Sequence, residues 1–246
     1  MHVLVTRPET DADDVSARLE ALGVKVSKAP LIEIAFNSIP VDAIATAAGL
    51  IATSRNGLRS LARSPVLGQS LTKPLFAVGS ATADLARDLG FTDVRVGNGT
   101  AASLVPVIGG SQAEFGRGPL VHLAGDHLAF DLRGALAATT ANLTIVPAYR
   151  SIAAKALSPS IQKALAAGAI DAVILMSPRS AQIWGTLVSD AGLQKNSQKL
   201  TYVCLSKAVA DTLQLPSRAK VKVADNPSSL EIVALIRALA ADFVKE

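Results

Sequence analysis

The feature that most limits the possible folds is an internal repeat, in which strand–turn–helix segments recur about 125 residues apart. Residues 51–56 resemble residues 175–180, and residues 78–85 resemble residues 205–212. Each segment begins with a short, β-branched run and continues into a stretch with helical spacing of its apolar residues. Alternation of this kind is typical of parallel sheets covered by helices, and its repetition predicts two similar lobes.

The N-terminal segment breaks the order of the repeat. Residues 121–126, followed by 131–136, match residues 3–8, followed by 14–19. The first βαβ unit therefore corresponds, in the C-terminal lobe, to the βαβ unit of residues 120–148 in the other lobe. We expect the first strand to pair inside the sheet of the C-terminal lobe.

These matches predict the domain boundaries. One domain is continuous over residues 37–148, and the other is discontinuous, over residues 1–35 plus 153–246. The chain crosses between them at residues 31–36 and 144–152, which are both apolar and β-branched, so we expect a two-stranded antiparallel β-ladder that acts as a hinge. The predicted fold class is α/β, with two doubly wound parallel sheets of about five strands each in a flavodoxin-like order.

Composition narrows the function. No apolar run in the 246 residues reaches the roughly 20 needed to span a bilayer. The first residues lack the layout of a secretory signal, so we expect a cytoplasmic protein with no membrane partner. The net charge of +4 is spread along the chain and only 4% of residues are aromatic, which argues against nucleic acid and favours a small anionic ligand. A single cysteine, Cys204, and three scattered histidines predict neither a disulfide nor a metal site.

The turns that follow the predicted strands are the candidate binding site. Ligands of doubly wound sheets bind beyond the carboxyl ends of the strands, where helix N-termini attract anions. Helix capping explains any one of these turns, but eight of them, four with Arg or Lys, predict an anionic ligand in the cleft between the lobes. The candidate substrate-binding residues are Arg7, Thr53, Ser54, Arg55, Asn56, Gly79, Ser80, Thr82, Gly125, Asp126, Ser177, Arg179, Ser180, Ser206 and Lys207.

Familiar catalytic motifs are absent from the sequence. It has no Gly-x-Gly-x-x-Gly after the first strand, no Gly-Lys-Ser/Thr loop, no paired carboxylates and no Ser-His-Asp order. His122 lies within a strand pattern and Tyr202 within another, and we expect both in the core. Trp184 and Phe130 fall on apolar helical faces and are expected there too. The sequence thus indicates either an enzyme with little acid–base equipment or a binding protein.

Seven stretches, at residues 5–8, 30–34, 53–57, 77–83, 123–126, 146–150 and 173–181, follow a known order. In order and spacing they resemble the uroporphyrinogen-III synthase family, the cyclising lyases of haem and tetrapyrrole synthesis, over nearly the whole chain. The pattern departs at Ser206-Lys207-Ala208-Val209, where the family often has Gly followed closely by Thr. A hydroxyl is missing near Ala208 or Val209, and Ser206 is the candidate to replace it.

The resemblance implies a reaction. Hydroxymethylbilane, a linear tetrapyrrole with an acetate and a propionate on every ring, would lose water and close with its terminal ring inverted, giving uroporphyrinogen III. No cofactor or metal is implied. Tyr149 stands in the position of the family's expected tyrosine and is the candidate proton donor to the departing hydroxyl; the alternative is a tyrosine packed on the hinge. We expect a monomer that contacts the preceding enzyme of the pathway transiently.

Two readings other than the enzyme stay open. Hinged α/β lobes also suit a non-catalytic binding protein or sensor for a small polyanionic ligand such as a tetrapyrrole. A regulator that binds a tetrapyrrole without converting it is the third reading. Tyr149 and the ordered turns at residues 53–56 and 177–180 favour the enzyme.

Overall fold

The computed structural model describes residues 1–111, 118–128, 130–137, 142–213, 215 and 219–243. The chain divides into two compact units. Unit 1 comprises Met1–Glu33 and Ile152–Glu246, and unit 2 comprises Ile34–Ser151. Within the described ranges, no helix combines the length and the apolar content needed to cross a membrane.

Strands and helices alternate along most of the chain. The described strands are β1 (His2–Val5), β2 (Lys25–Lys28), β3 (Ile32–Phe36), β4 (Gly49–Ala52), β5 (Leu75–Ala77), β6 (Val94–Val96), β7 (Leu120–Gly125), β8 (Leu143–Ala153), β9 (Ala172–Leu175), β10 (Thr201–Cys204) and β11 (Lys220–Val223). The described helices are α1 (Glu9–Glu20), α2 (Val41–Ala45), α3 (Arg55–Ala62), α4 (Leu67–Ser70), α5 (Ser80–Asp88), α6 (Leu104–Gly110), α7 (Leu132–Leu136), α8 (Pro159–Ala166), α9 (Pro178–Asp190), α10 (Gln194–Ser197), α11 (Lys207–Thr212) and α12 (Ser229–Phe243). A short 3-10 turn, Ala101–Ser103, precedes α6.

Unit 1 contains a parallel sheet in the order β11-β10-β9-β1-β2. β1 pairs in parallel with β2 on one side and with β9 on the other, where Val3 lies opposite Ala172. β9 and β10, and β10 and β11, also pair in parallel. Counted along the chain of this unit, the strand order is 2-1-3-4-5, which is the flavodoxin-like order. The predicted insertion of the N-terminal βαβ unit into this sheet is confirmed.

Unit 2 has the same spatial order of strands, but the chain forms them in a different sequence. Its sheet has the order β3-β8-β7-β4-β5-β6. If β7 is counted first and β8 second, the strands β8-β7-β4-β5-β6 again follow 2-1-3-4-5, and each neighbouring pair among them is parallel. The sixth strand, β3, lies beside β8, as the predicted two-stranded ladder requires. Asn37 N donates to Ala148 O, and Ala154 N donates to Leu31 O, so the two segments run in opposite directions.

The central strands are buried because helices cover both faces of each sheet. Every residue of β1, β4, β5 and β9 is buried, and most are Val, Leu, Ile or Ala, as expected of parallel strands covered on both sides. The edge strand β11, by contrast, is exposed along its length and alternates Lys with Val. Lysines on an exposed edge discourage pairing with another chain.

The sequence places two aromatic core residues correctly and misplaces a third. Trp184 and Tyr202 are both 1% exposed, in one apolar cluster of unit 1. Phe130 is only partly buried and lies in a bend before α7, so its predicted helical position is wrong. The physical reason is Asp131, whose carboxylate accepts a hydrogen bond from Gly134 N and thereby caps α7 after Phe130.

Candidate active site

A cavity of about 520 Å³ opens at the carboxyl ends of β4, β5 and β7 in unit 2. This volume falls within the range of small-molecule sites. No acidic side chain is among its described lining residues, which suits an anionic ligand. The lining residues are Thr53, Val78, Gly99, Thr100, Ala101, Ala102, His122, Gly125, His127, Leu128, Phe130, Leu132 and Tyr149.

One polar pair of this cavity joins two neighbouring strands. His122 on β7 lies opposite Ile51 on β4, and Thr53 follows two residues later on the same face. The Nε2 atom of His122 lies 2.8 Å from Oγ1 of Thr53. His122 is only 3% exposed, and burial lowers the pKa of its imidazole to about 4. The ring is therefore neutral at pH 7.

Tyr149 contributes a phenol to the cavity, and Gly125 makes room for it. The register between β7 and β8 shifts after Ala124, so that Gly125 lies opposite Tyr149. A Cβ atom on Gly125 would lie 2.8 Å from Cζ and 2.9 Å from Oη of Tyr149, closer than such contacts allow. Tyr149 lies within β8 and not at the predicted strand end, because β8 continues to Ala153.

The polar residues of the turn after β4 lie partly in the cavity wall and partly at the start of α3. Thr53 lines the cavity. Ser54 caps α3 by accepting a hydrogen bond from Asn56 N at 3.2 Å, and Asn56 Oδ1 accepts one from Arg59 at 2.8 Å. Arg55 is half-buried at the first position of the helix.

The turns after β5 and β7 hold the other predicted residues of unit 2. Gly79 approaches Gly99 so closely that a Cβ atom would lie 3.1 Å from the Gly99 Cα. Ser80 is exposed, whereas Thr82 is buried inside α5. Asp126 is exposed, and its carboxylate accepts a hydrogen bond from Ser151 N at 3.1 Å. Gly125 lines the cavity, as does Gly99 in the turn after β6.

The predicted residues of unit 1 lie at the carboxyl ends of β1, β9 and β10. Arg7 pairs with Asp11 at 3.3 Å and also donates to Ser229. Lys207, at the start of α11, pairs with Asp211 at 2.7 Å. Ser206 begins the same helix without a side-chain capping bond.

The turn after β9 in the same unit is built around a capping box. Ser177 accepts a hydrogen bond from Ser180 N at 3.1 Å, and Ser180 accepts one from Ser177 N at 3.0 Å. Arg179 follows Pro178 on the first turn of α9 and is half-buried. Both serine hydroxyls are therefore engaged in starting α9.

A second cavity, of about 590 Å³, lies among α9, α10 and α11 of unit 1. Trp184, Gln198 and Tyr202 are among its lining residues, but none of the predicted site residues is. It lies away from the strand ends that make sites in such folds. The cavity in unit 2 is therefore the candidate active site.

The sequence predicts a core position for His122, which is confirmed, but it does not predict the contact of His122 with Thr53 at the cavity. The repeat did indicate that β7 and β4 are neighbours. In the flavodoxin-like order 2-1-3-4-5, β7 is strand 1 and β4 is strand 3, and these two strands lie side by side. The register that brings His122 beside Thr53 is a property of the folded sheet. Thr100 lies in one of the eight turns predicted from the sequence, although it is not among the candidate residues, and His127 of the lining was missed.

Comparison with known proteins decides the family. Residues 13–234 match the family model described as uroporphyrinogen-III synthase HemD. The chain belongs to the uroporphyrinogen-III synthase family. Members of this family are cyclising lyases of haem biosynthesis. A comparison with curated proteins gave no significant match.

Solved structures of uroporphyrinogen-III synthases share the fold. The enzyme from Helicobacter pylori 26695 is 16% identical, with a TM-score of 0.66 over 97% of this chain and 99% of that one. A mutant enzyme from the extreme thermophile Thermus thermophilus is 19% identical, with a TM-score of 0.56 over 100% of both chains. The predicted α/β class with parallel sheets is thereby confirmed.

Proposed function

We infer that the chain is a uroporphyrinogen-III synthase, which cyclises hydroxymethylbilane with loss of water and inversion of the terminal ring. The observation that carries this function is the family match over residues 13–234. Among the described lining residues, none favours a binding protein over the enzyme.

The reaction begins when the terminal hydroxyl leaves and an electrophilic azafulvene forms. The far ring then attacks through its substituted carbon, and the resulting spiro intermediate fragments and closes again with that ring inverted. The hydroxyl departs as water once it gains a proton, and ring closure releases one proton from a ring carbon, so the steps balance. This reaction requires the protein to supply one proton donor and to position the two ends of the substrate accurately.

We propose that the phenol of Tyr149 is the donor. It is half-buried in the wall of the cavity, and it lies directly over Gly125, which leaves space for the ring. A hydroxyl in a cavity lined by Phe130, Leu132 and Val78 makes a stronger hydrogen bond than it would in water. The departing hydroxyl would accept this bond in the transition state.

Positioning is the second task, because the activated substrate closes without inversion when it is left alone. Holding the two ends of the tetrapyrrole in register is proximity catalysis. We propose that the strand-end turns bind the substrate, and that their Arg, Lys, hydroxyl and backbone N–H donors bind its carboxylates. In unit 2 the proposed residues are Thr53, Ser54, Arg55, Asn56, Gly79, Ser80, Thr82, Gly125 and Asp126, and in unit 1 they are Arg7, Ser177, Arg179, Ser180, Ser206 and Lys207.

The test uses freshly made hydroxymethylbilane and separates the III isomer from the I isomer of the product. The wild-type protein should yield the III isomer. Tyr149→Phe, which keeps the ring, should lower turnover by about a hundredfold or more. Ser54→Ala, a matched loss of one hydroxyl, should cost about tenfold or less. A protein that binds the tetrapyrrole while only the I isomer accumulates is a binding protein, and the enzyme proposal then fails.

The finer assignments are also proposals. We propose that the protein works as a monomer in the cytoplasm and receives its unstable substrate through transient contact with the preceding enzyme. The tendency of hydroxymethylbilane to close spontaneously supports such a transfer. Light scattering of the purified protein at working concentration tests the monomer, and a stable dimer would contradict it.

A further inference from the structure

The buried imidazole of His122 has one nitrogen with a partner and one without. Nε2 lies 2.8 Å from Thr53 Oγ1. Nδ1 is shielded from solvent and has no hydrogen-bond partner among the described residues. This asymmetry decides which nitrogen carries the proton.

A neutral imidazole has one N–H donor and one acceptor nitrogen. If Nδ1 carried the proton, a donor would be buried without an acceptor, which is rare in folded proteins and costs more than a buried acceptor without a donor. The proton therefore lies on Nε2, and Nε2–H donates to Thr53 Oγ1. His122 thus occupies a lone pair of the Thr53 hydroxyl and cannot accept its proton.

The hydroxyl proton of Thr53 is then available to another acceptor. The structure gives Oγ1 no second partner among the described residues, and Thr53 lines the cavity. The side chains around it include Val78, Phe130 and Leu132, so a hydrogen bond made there is little weakened by water.

We propose that His122 is a positioning residue that fixes the Thr53 hydroxyl as a donor to a substrate carboxylate. The inference rests on the proposed function, because the carboxylate is one of those carried by hydroxymethylbilane. A carboxylate only accepts hydrogen bonds, so it needs a donor in a fixed direction. A Thr53 hydroxyl that donated to His122 would instead present a lone pair and repel it.

Kinetics of four variants test the inference. Thr53→Val removes the hydroxyl, and His122→Leu removes the imidazole while keeping an apolar side chain. Each should raise KM about tenfold with little change in kcat, as expected of a contact made equally in the ground and transition states. The double variant should be no worse than Thr53→Val, because His122 acts through Thr53. His122→Gln, whose amide places a donor near the site of Nε2, should restore KM to within about threefold of the wild type.

A control separates positioning from stability. Ser70 has a buried hydroxyl in unit 2 that donates to Val66 O at 2.7 Å, and it does not line the cavity. Ser70→Ala should lower stability by the loss of one buried bond and leave KM unchanged. Additive effects of Thr53→Val and His122→Leu, or a KM in His122→Leu equal to that of the wild type, would overturn the inference.

Nitrogen-15 NMR of the histidine rings tests the wild-type protein directly. The His122 signals, identified by their loss in His122→Gln, should show a protonated Nε2 and a bare Nδ1, unchanged from about pH 8 to about pH 6. The other titratable side chains of the cavity are His127, after β7, and Tyr149, on β8; β4 and β5 contribute none to the described lining. Protonation at Nδ1 would refute the inference even if every variant misfolds. Absence of the III isomer with wild-type protein would instead refute the proposed function.

Discussion

Acid should destabilise this protein through His122 more than through an ordinary histidine. The folded state holds the pKa of the buried imidazole at about 4, whereas the unfolded chain has the ordinary value of 6.5. Between these values the unfolded state binds the proton and the folded state does not, so the free energy of unfolding falls as the pH falls. The shift of about 2.5 units corresponds to roughly 3 kcal/mol in total. About 2 kcal/mol of it is lost between about pH 7.5 and about pH 5.

Urea unfolding followed by far-UV circular dichroism measures this loss. His122→Leu removes the titrating group, so the wild type should lose about 2 kcal/mol more than the variant between the two pH values. The lost hydrogen bond to Thr53 lowers the stability of the variant equally at both pH values and cancels. Trp184 is the single tryptophan and lies in unit 1, so its fluorescence is an internal control on the other unit. Equal pH dependence in the wild type and His122→Leu would refute the reasoning.

Three further predictions concern Gly125, Cys204 and Ser177. Gly125→Ala should displace the Tyr149 ring and lower turnover nearly as far as Tyr149→Phe, with unchanged circular dichroism; normal turnover would contradict the role of that close approach. Cys204 is buried and its thiol pKa is raised to about 11, so it should react with a thiol reagent only after denaturation, and rapid labelling of the native protein would contradict its burial. Ser177→Ala should lower the stability of unit 1 by about 1 kcal/mol, measured by Trp184 fluorescence in urea, through loss of the capping box; Thr186→Ala, on the exposed side of the same helix, is the control.

The architecture could be predicted from the sequence because its signals are long and repeated. The match between residues 3–8 and 121–126 predicted that β1 lies in the sheet of the C-terminal lobe, where the structure pairs it with β9, and that β7 occupies the corresponding place in the other sheet. Buried parallel strands are runs of apolar residues that tolerate little else, so such matches are informative. Phe130 shows the limit, since a single capping carboxylate at Asp131 decided where α7 begins.

The candidate site was harder to predict from the sequence than the fold was. Thr53, Gly125 and Tyr149 were chosen from the sequence, and the structure brings all three to one cavity. The contact between His122 and Thr53 depends on the register of two strands that lie far apart in the chain, and the contact of Gly125 with Tyr149 depends on an irregularity in another pair. β4 and β7 are buried on both faces, so no alternation of polar and apolar residues in them indicates their register.

The order in which strands enter the two sheets has a consequence for biosynthesis. All strands of the unit 2 sheet lie between Ile32 and Ala153, so this unit can fold as soon as that stretch has left the ribosome. β1 is made before its neighbour β9, which follows about 170 residues later, as the bond from His2 N to Asp171 illustrates. The nascent β1–α1–β2 segment must therefore wait with one strand edge unpaired while another domain folds behind it. Early exposure of that edge makes the first βαβ unit a site where another chain can pair during synthesis.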